Sequence, residues 1–473
     1  MRGFLLGGMF LLVALPANLL GVETVAALEN AATSEPTVNR FRAELVTLTA
    51  EEREAALLDA ATALAAEEKS YAERVDALRR LGLLQDAAAI PVLRAVLGDP
   101  ALGDEARRVL QRIPGPVAEV ALLNALARET DPRLRAGLLS SLGARRVEAV
   151  IPAAVKAAAE REPTLAEAGL RTLGEIKTGA SLSALLGVKV REAQRALRWQ
   201  LLLETCGALL GRPDGGASHG RVVQTLCELE AQEEFPRLRQ AARVLQLQYG
   251  LRSAEECLSG EDPALRAAAL IFLRRARDID SGKLLLDYFS RRAKGREFLD
   301  CLMALESRRQ TEALPLLYSL LNRQLVPEAR AAVLGTMGVL GGADEAGTLA
   351  VALDSPDKIV AETARAALLA LQGGDVGGAF AGLFADTSLS VAVRVQLLDV
   401  ARRRWLYTAT PGAIALLTDA DAELRREALK TLERLAGPEH LPALRTAVPT
   451  VADSGQREKI NQLCQRLEQE NRR

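Results

Sequence analysis

The feature that most constrains this chain is a repeat. The stretch from Val326 to Asp357, VPEARAAVLGTMGVLGGADEAGTLAVALDSPD, reads as two short amphipathic helices and two turns, and versions of it recur along nearly the whole sequence. Val326, Ala329, Val333, Met337 and Leu340 fall at helical spacing and form one apolar stripe. Pro327 suits a first helical turn, where no intrahelical N–H is needed. Gly341 and Gly342 are expected to stop the helix in the left-handed conformation. Asp344 is the expected cap of a second helix, whose stripe is Ala346, Leu349, Ala350 and Leu353. Asp354 to Asp357 then breaks the chain and caps the next unit.

Thirteen anchor positions mark the units: Arg74, Arg107, Arg135, Ala166, Arg198, Arg239, Arg266, Glu297, Arg330, Arg365, Arg394, Arg425 and Arg457. Their mean spacing is close to 32 residues. Two further signals keep the same phase. Glycine lies eight residues past the anchor at Gly82, Gly115, Gly143, Gly174, Gly338 and Gly373. Aliphatic–proline pairs lie deeper in the unit at Ile90-Pro91, Ile151-Pro152 and Leu441-Pro442, with Pro315 one residue out of step. One helical pair cannot bury both its faces, so units of this length must stack on their neighbours. The expectation is an all-α, α-α solenoid of about 13 helix-turn-helix repeats. Such a core grows lengthwise, which accommodates 473 residues without one oversized core.

The period alone does not separate the helical repeat families. The decisive stretches are DPRLRAGLLSSLG from Asp131, DPALRAAALIFL from Asp262 and DAELRREALKTL from Asp421. This pattern resembles HEAT repeats, specifically the short variety of the phycobilisome-lyase-like group, over about residues 71–467. The resemblance implies an α-α superhelix whose second helices line a concave face used to hold partners. It implies no activity. Within these motifs, Asp131–Arg135, Asp262–Arg266 and Asp421–Arg425 stand at i,i+4 and are expected to brace the turns between units.

The first 27 residues read as a signal peptide. Arg2 gives a positive start, Phe4 to Leu15 is apolar, and Val25-Ala26-Ala27 offers the small residues of a cleavage site. The competing reading is an uncleaved anchor, since no charge occurs between Arg2 and Glu23. No second long apolar run follows, which leaves no membrane span after signal removal. Residues 28–70 read as a linker and an N-terminal capping helix over Phe41–Lys69. Residues 211–220, GRPDGGASHG, form an inserted loop within the solenoid of 71–467, and 468–473 form a polar tail.

Chemistry is sparse. Gly216-Ala-Ser218-His219-Gly220 matches the serine-hydrolase elbow, but that elbow needs a strand before it and a helix after it. The only other histidine, His440, sits at a distant helix start. There is no His-Glu pair for iron, no zinc spacing, and no Walker lysine, since Ala180 stands in its place. No catalytic residue, metal ligand or cofactor is assigned. Cys206, Cys227, Cys257, Cys301 and Cys464 read as small core residues; Cys206 and Cys227 are the pair best placed for a disulfide if the chain is exported.

A net charge of −1 gives no global pull toward nucleic acid. Charge is uneven, however. Arg274, Arg275, Arg277, Lys283, Arg291, Arg292, Lys294 and Arg296 crowd one repeat. Arg274, Arg275, Arg291, Arg292 and Arg296 are the candidate partner-binding residues, suited to an acidic partner. The reading is a non-catalytic protein–protein interaction scaffold or adaptor, exported to the bacterial periplasm or beyond. The alternative is a HEAT-fold enzyme or enzyme-accessory subunit of the nucleic-acid glycosylase or modification-lyase type.

Overall fold

The computed structural model describes residues 39–212, 218–291 and 294–472. The signal segment 1–27, its expected cleavage at Ala27, Arg292 and the middle of the inserted loop lie outside the described residues. The chain divides into two compact units, residues 1–242 and 243–473. Among the described residues there is no strand.

In the first unit, α1 (Ala50–Ala65) is started by a Thr49–Glu52 capping box and packs on α2 (Tyr71–Leu84), which starts with a Ser70–Glu73 box. A separate helical turn at 39–44 precedes α1, where the sequence suggested one helix over 41–69. Pairs follow: α3 (Ile90–Ala95), α4 (Gly103–Arg112) with α5 (Pro116–Arg128), α6 (Pro132–Ala144) with α7 (Ile151–Ala158), α8 (Pro163–Ile176) with α9 (Gly179–Gly187), α10 (Glu192–Leu210) with α11 (His219–Glu230), and α12 (Pro236–Gln248), in which the unit ends. The second unit continues with α13 (Ala254–Ser259), α14 (Pro263–Arg275), α15 (Ile279–Arg291), α16 (Gly295–Arg308), α17 (Leu314–Leu321), α18 (Pro327–Leu340), α19 (Ala346–Ala352), α20 (Lys358–Ala370), α21 (Val376–Ala385), α22 (Val391–Arg404), α23 (Thr410–Ala415), α24 (Ala422–Leu435), α25 (Leu441–Ala447) and α26 (Ser454–Asn471). The fold is a stack of HEAT-like helix pairs.

Every anchor falls in the first helix of a pair. The aliphatic–proline pairs fall on the first turns of α3, α7, α17 and α25, each entered through a short 3-10 turn. The polar face of α26 closes the stack, with Ile460, Leu463, Cys464 and Leu467 buried and its solvent side charged. That helix runs on to Asn471, through most of the expected tail.

Several local expectations are corrected. Val326 is the exposed N-cap residue of α18 and lies outside its stripe, which gains Ala331, Leu334 and Gly338. Gly341 and Gly342 end α18 in extended backbone. Their role is pairing across repeats: Gln372 N–H donates to Gly341 O at 3.1 Å, and Ala343 N–H to Gly373 O at 3.1 Å. Asp344 does not cap; the Glu345 carboxylate accepts the Gly342 N–H at 2.6 Å. Left-handed helix ends are taken by Gly250 and by the non-glycines Gln85, Arg146, Lys177, Arg309 and Trp405. The five cysteines are free. Cys206 is buried and hydrogen-bonded to Thr225, and the pair with Cys227 is not bridged; four cysteines are buried as read from the sequence, and Cys227 is exposed on α11.

Of the glycines eight past the anchor, Gly115 and Gly373 lie beyond helix ends with positive φ, whereas Gly143, Gly174 and Gly338 lie inside helices at close approaches. A Cβ on Gly174 would lie 2.5 Å from Leu201 Cδ2, and one on Gly338 only 2.4 Å from Ala367 Cα. These positions are where the first helix of one pair crosses the first helix of the next. Absence of a side chain there lets the two backbones approach.

Candidate functional site

Most arginines are consumed inside the repeat. The last carbonyls of a helix have no intrahelical partner and carry partial negative charge, so a nearby cation satisfies them. Several anchor arginines do this for the helix or turn that precedes them. Arg74 donates to Leu64 O at 3.1 Å, Arg239 to Glu230 O at 2.7 Å, Arg394 to Phe384 O at 2.6 Å and Arg425 to Asp419 O at 2.7 Å. The expected i,i+4 pairs therefore do not form. Asp131, Asp262 and Asp421 instead accept the first backbone N–H groups of α6, α14 and α24.

A second arginine series, unforeseen from sequence, reaches back from the end of one first helix to the end of the preceding one. Arg145 donates to Gln111 O at 3.0 Å, Arg308 to Leu273 O at 3.0 Å, Arg404 to Leu368 O at 2.7 Å and Arg466 to Glu433 O at 2.7 Å. In the run Arg402–Arg404, Arg402 and Arg403 pair with Asp399. Burial holds the Arg404 guanidinium below its ordinary pKa.

One repeat departs from this rule. Glu297 occupies the anchor position of α16, where an arginine stands in eleven other units and Ala166 in one. Arg266, the preceding anchor, turns to it with Nε 2.8 Å from Oε1, while Tyr288 Oη donates to Oε2 at 2.5 Å. Burial alone would raise the Glu297 carboxyl; the hydrogen bonds from Tyr288 and Arg266 overcome it and hold it below the usual carboxylate range. Burial and the bond to Glu297 push the Tyr288 phenol far up, so it stays a donor. The Glu297 hydrogen bond raises the Arg266 guanidinium further.

This triad floors an open cleft of about 520 Å³ between the ends of α13 and α15 and the start of α16. Arg291, Lys294 and Arg296 stand at its mouth. Arg291 pairs with Asp287 at 2.9 Å in an exposed i,i+4 contact, worth little. Lys294 and Arg296 are exposed and make no ion pair among the described residues. With Glu297 already neutralised by Arg266, the mouth is cationic.

The structure divides the basic cluster suggested by the sequence. Arg291 and Arg296 line this cleft. Arg274 and Arg275 lie at the far end of α14, where Arg274 Nε donates to Ser307 Oγ at 2.8 Å. Ser307 is 11 residues along α16 from Arg296, about 16 Å at helical rise. Arg277 is likewise spent on Ser307 O at 2.8 Å, and Lys283 faces Asp280 at 3.6 Å. Sequence reasoning missed Arg266, Tyr288 and Glu297; the available signal was the acidic residue breaking the arginine ladder.

A second cleft of about 560 Å³ lies two repeats further on, at the ends of α17 and α19 and against α18. Leu321, Leu334, Val351, Ala352 and Val360 make it mainly apolar, with Arg330 and Asp354 on its rim. Val351 is 65% exposed.

The hydrolase-like motif holds no site. Ser218 and His219 start α11 after a helix and a loop. His440 Nδ1 accepts the Gly437 N–H at 3.1 Å, which occupies it locally. Among the described residues no group of acids, cysteines and histidines could hold a metal, and no helix is long and apolar enough to cross a membrane.

No family model matches this chain, and no curated protein matches it. Among solved structures it is similar to Kap121p bound to Nup53p, at 12% identity and a TM-score of 0.45, covering 94% of this chain and 55% of that one. It is also similar to Kap95p in a structure concerned with RanGDP, at 13% identity and 0.40, covering 92% and 64%. Importin beta matches at 14% identity and 0.38, covering 92% and 66%. The chain thus spans between about half and two thirds of these proteins' lengths.

Proposed function

We propose that this protein is a non-catalytic scaffold that binds another protein across the exposed surface of its repeats. The observation that carries the reading is the economy of its cations. Many arginines are spent on helix ends; among the exposed cations that are not, Lys294 and Arg296 stand together around a cleft. Their surroundings include Leu299 and Met303 on the solvent side of α16, about half exposed. Unspent charge beside exposed apolar side chains is the composition of an interaction surface. In this reading the protein is exported and works in the periplasm or outside the cell, with no cofactor and no nucleic acid.

The test is affinity capture of the C-terminally tagged chain from its own cells, with and without in vivo crosslinking. A discrete partner recovered with wild type, and lost on competition with untagged protein, supports a scaffold. Recovery of nothing above background under several crosslinkers sinks it. Mass spectrometry of the mature N-terminus tests export separately: a start near Leu28 supports cleavage, and an intact Met1 in the cytosol refutes it.

A further inference from the structure

We propose that the two clefts of the second unit take one extended acidic segment of the partner, with its carboxylates at the Lys294–Arg296 mouth and an aliphatic side chain beside Val351. The inference rests on the scaffold reading and adds the chemistry of what is held.

Three observations point to carboxylates in the first cleft. Arg291, Lys294 and Arg296 converge on a single opening whose one acid, Glu297, is already satisfied by Arg266 and Tyr288. Arg296 offers a planar fork that matches a carboxylate, and Lys294 a point charge beside it. The N-cap residue of α16 is Lys294, which supplies no side-chain acceptor, so the first-turn amides keep their capacity for an oxygen ligand. The cleft is too open to enclose a small ion, yet of a size to seat the tips of two side chains.

The second cleft has the opposite character. Val351, with half-buried Leu321 and Ala352, presents apolar surface over the buried Leu334 and Val360, and its rim carries Arg330 and Asp354, of opposite charge. It suits a leucine, isoleucine or valine.

Register joins the two. The first cleft lies between anchors Arg266 and Glu297, and the second between Arg330 and Arg365, on the same edge of the stack: each is bounded by the C-terminal ends of second helices. Two repeats at about 8–10 Å per helix neighbour separate them by roughly 16–20 Å. An extended chain covers that in about five or six residues at ~3.3 Å each. The occupant is therefore an acidic pair, a spacer of about five residues and an aliphatic residue.

The test uses a fluorescein-labelled peptide carrying Glu-Glu, five Ser/Gly residues and Leu, read by fluorescence anisotropy on the full chain. Expected is saturable binding that weakens about tenfold in Lys294→Gln/Arg296→Gln, and about three- to tenfold with Leu replaced by Ser in the peptide or with Val351→Ser. Raising the salt should abolish the difference at the basic mouth. The inference is overturned if the peptide fails to bind at millimolar concentration, if its Gln-Gln version binds equally, if the double variant binds like wild type, or if a phosphoserine version binds while the Glu version does not. Capture of the cellular partner by the double variant at wild-type yield would also overturn it, while leaving the scaffold reading intact.

Discussion

Gly335 and Gly338 share α18, one turn apart, and give a controlled comparison of what the repeat's close crossing requires. A Cβ at Gly335 meets only Thr363 Cγ2, at 3.5 Å, which is ordinary contact. A Cβ at Gly338 would lie 2.4 Å from Ala367 Cα and 2.5 Å from Ala367 Cβ, and 2.9 Å from Ala367 O. Ala367 is on α20, so the obstruction is backbone and cannot rotate away. Gly335→Ala should stabilise by about 0.5–1 kcal/mol, because glycine is the poorer residue inside a helix. Gly338→Ala gains the same propensity, yet must push two buried helices apart by about 1 Å, an overpacking cost of roughly 1–3 kcal/mol or more. The propensity gain cancels, so the two variants should differ by about 1–3 kcal/mol or more in favour of Gly335→Ala. A long repeat array does not unfold as two states, so the assay is hydrogen exchange of peptides covering 327–340 and 358–370. Protection should rise modestly in the first variant and collapse in both helices of the second. Equal protection in the two would show that the crossing is loose and that the glycine phase has some other cause. Gly174→Ala should fall between them, because its obstruction is the Leu201 side chain, which can rotate.

Arg394, 7% exposed with Nη2 3.0 Å from Asp419, should cost about 3 kcal/mol of local stability when changed to Ala, whereas Arg403→Ala, at a half-exposed pair, should cost no more than about 0.5, both read by hydrogen exchange of peptides covering 391–404. Thiol labelling of the native protein at pH 8 should modify Cys227 alone, since burial pushes the Cys206 and Cys301 thiols up to about 12; intact mass after labelling in denaturant should show five. The Glu297 carboxyl is depressed on folding, so its contribution is fully present above the ordinary carboxylate pKa near 4.5 and is lost as pH falls through the lower folded value. The stability gap between wild type and Glu297→Gln over residues 279–308 should therefore shrink between pH 5 and pH 3; a constant gap refutes the assignment.

The repeat was legible because its constraints recur in phase. Small residues are favoured where first helices approach closely, and proline is tolerated at helix first turns, as at Pro327 and Pro315, so both leave marks at fixed offsets. Helix ends were less legible. The glycines at Gly341 and Gly342 suggested left-handed termination, but that backbone is extended there; among the described residues Gly250 takes a left-handed end, and so do the non-glycines Gln85, Arg146, Lys177, Arg309 and Trp405. Such residues adopt the conformation at about 1 kcal/mol each because the fold around them demands it, and nothing in their identity announces it.

The candidate site shows why proximity in sequence misleads in a helical array. Arg274 to Arg296 is one cluster on paper, but an intervening helix separates its ends, so Arg274 and Arg277 bind the Ser307 hydroxyl and carbonyl while Arg291, Lys294 and Arg296 open on the cleft. Charge count could not separate the halves. What separates them is whether a cation has a structural duty. The anchor and helix-end arginines have one, because unpaired carbonyls recur with every repeat and each demands a donor. At Glu297 the ladder reverses sign: Arg266 keeps its bonds to Gly260 O and Glu261 O and adds one to Glu297, while Lys294 and Arg296 beside it have no ion-pair partner among the described residues. A repeat protein tolerates such a break only locally, since every other unit must still satisfy its neighbours. The broken rung, and not the densest run of basic residues, is therefore where unpartnered cations gather at the mouth of a cleft.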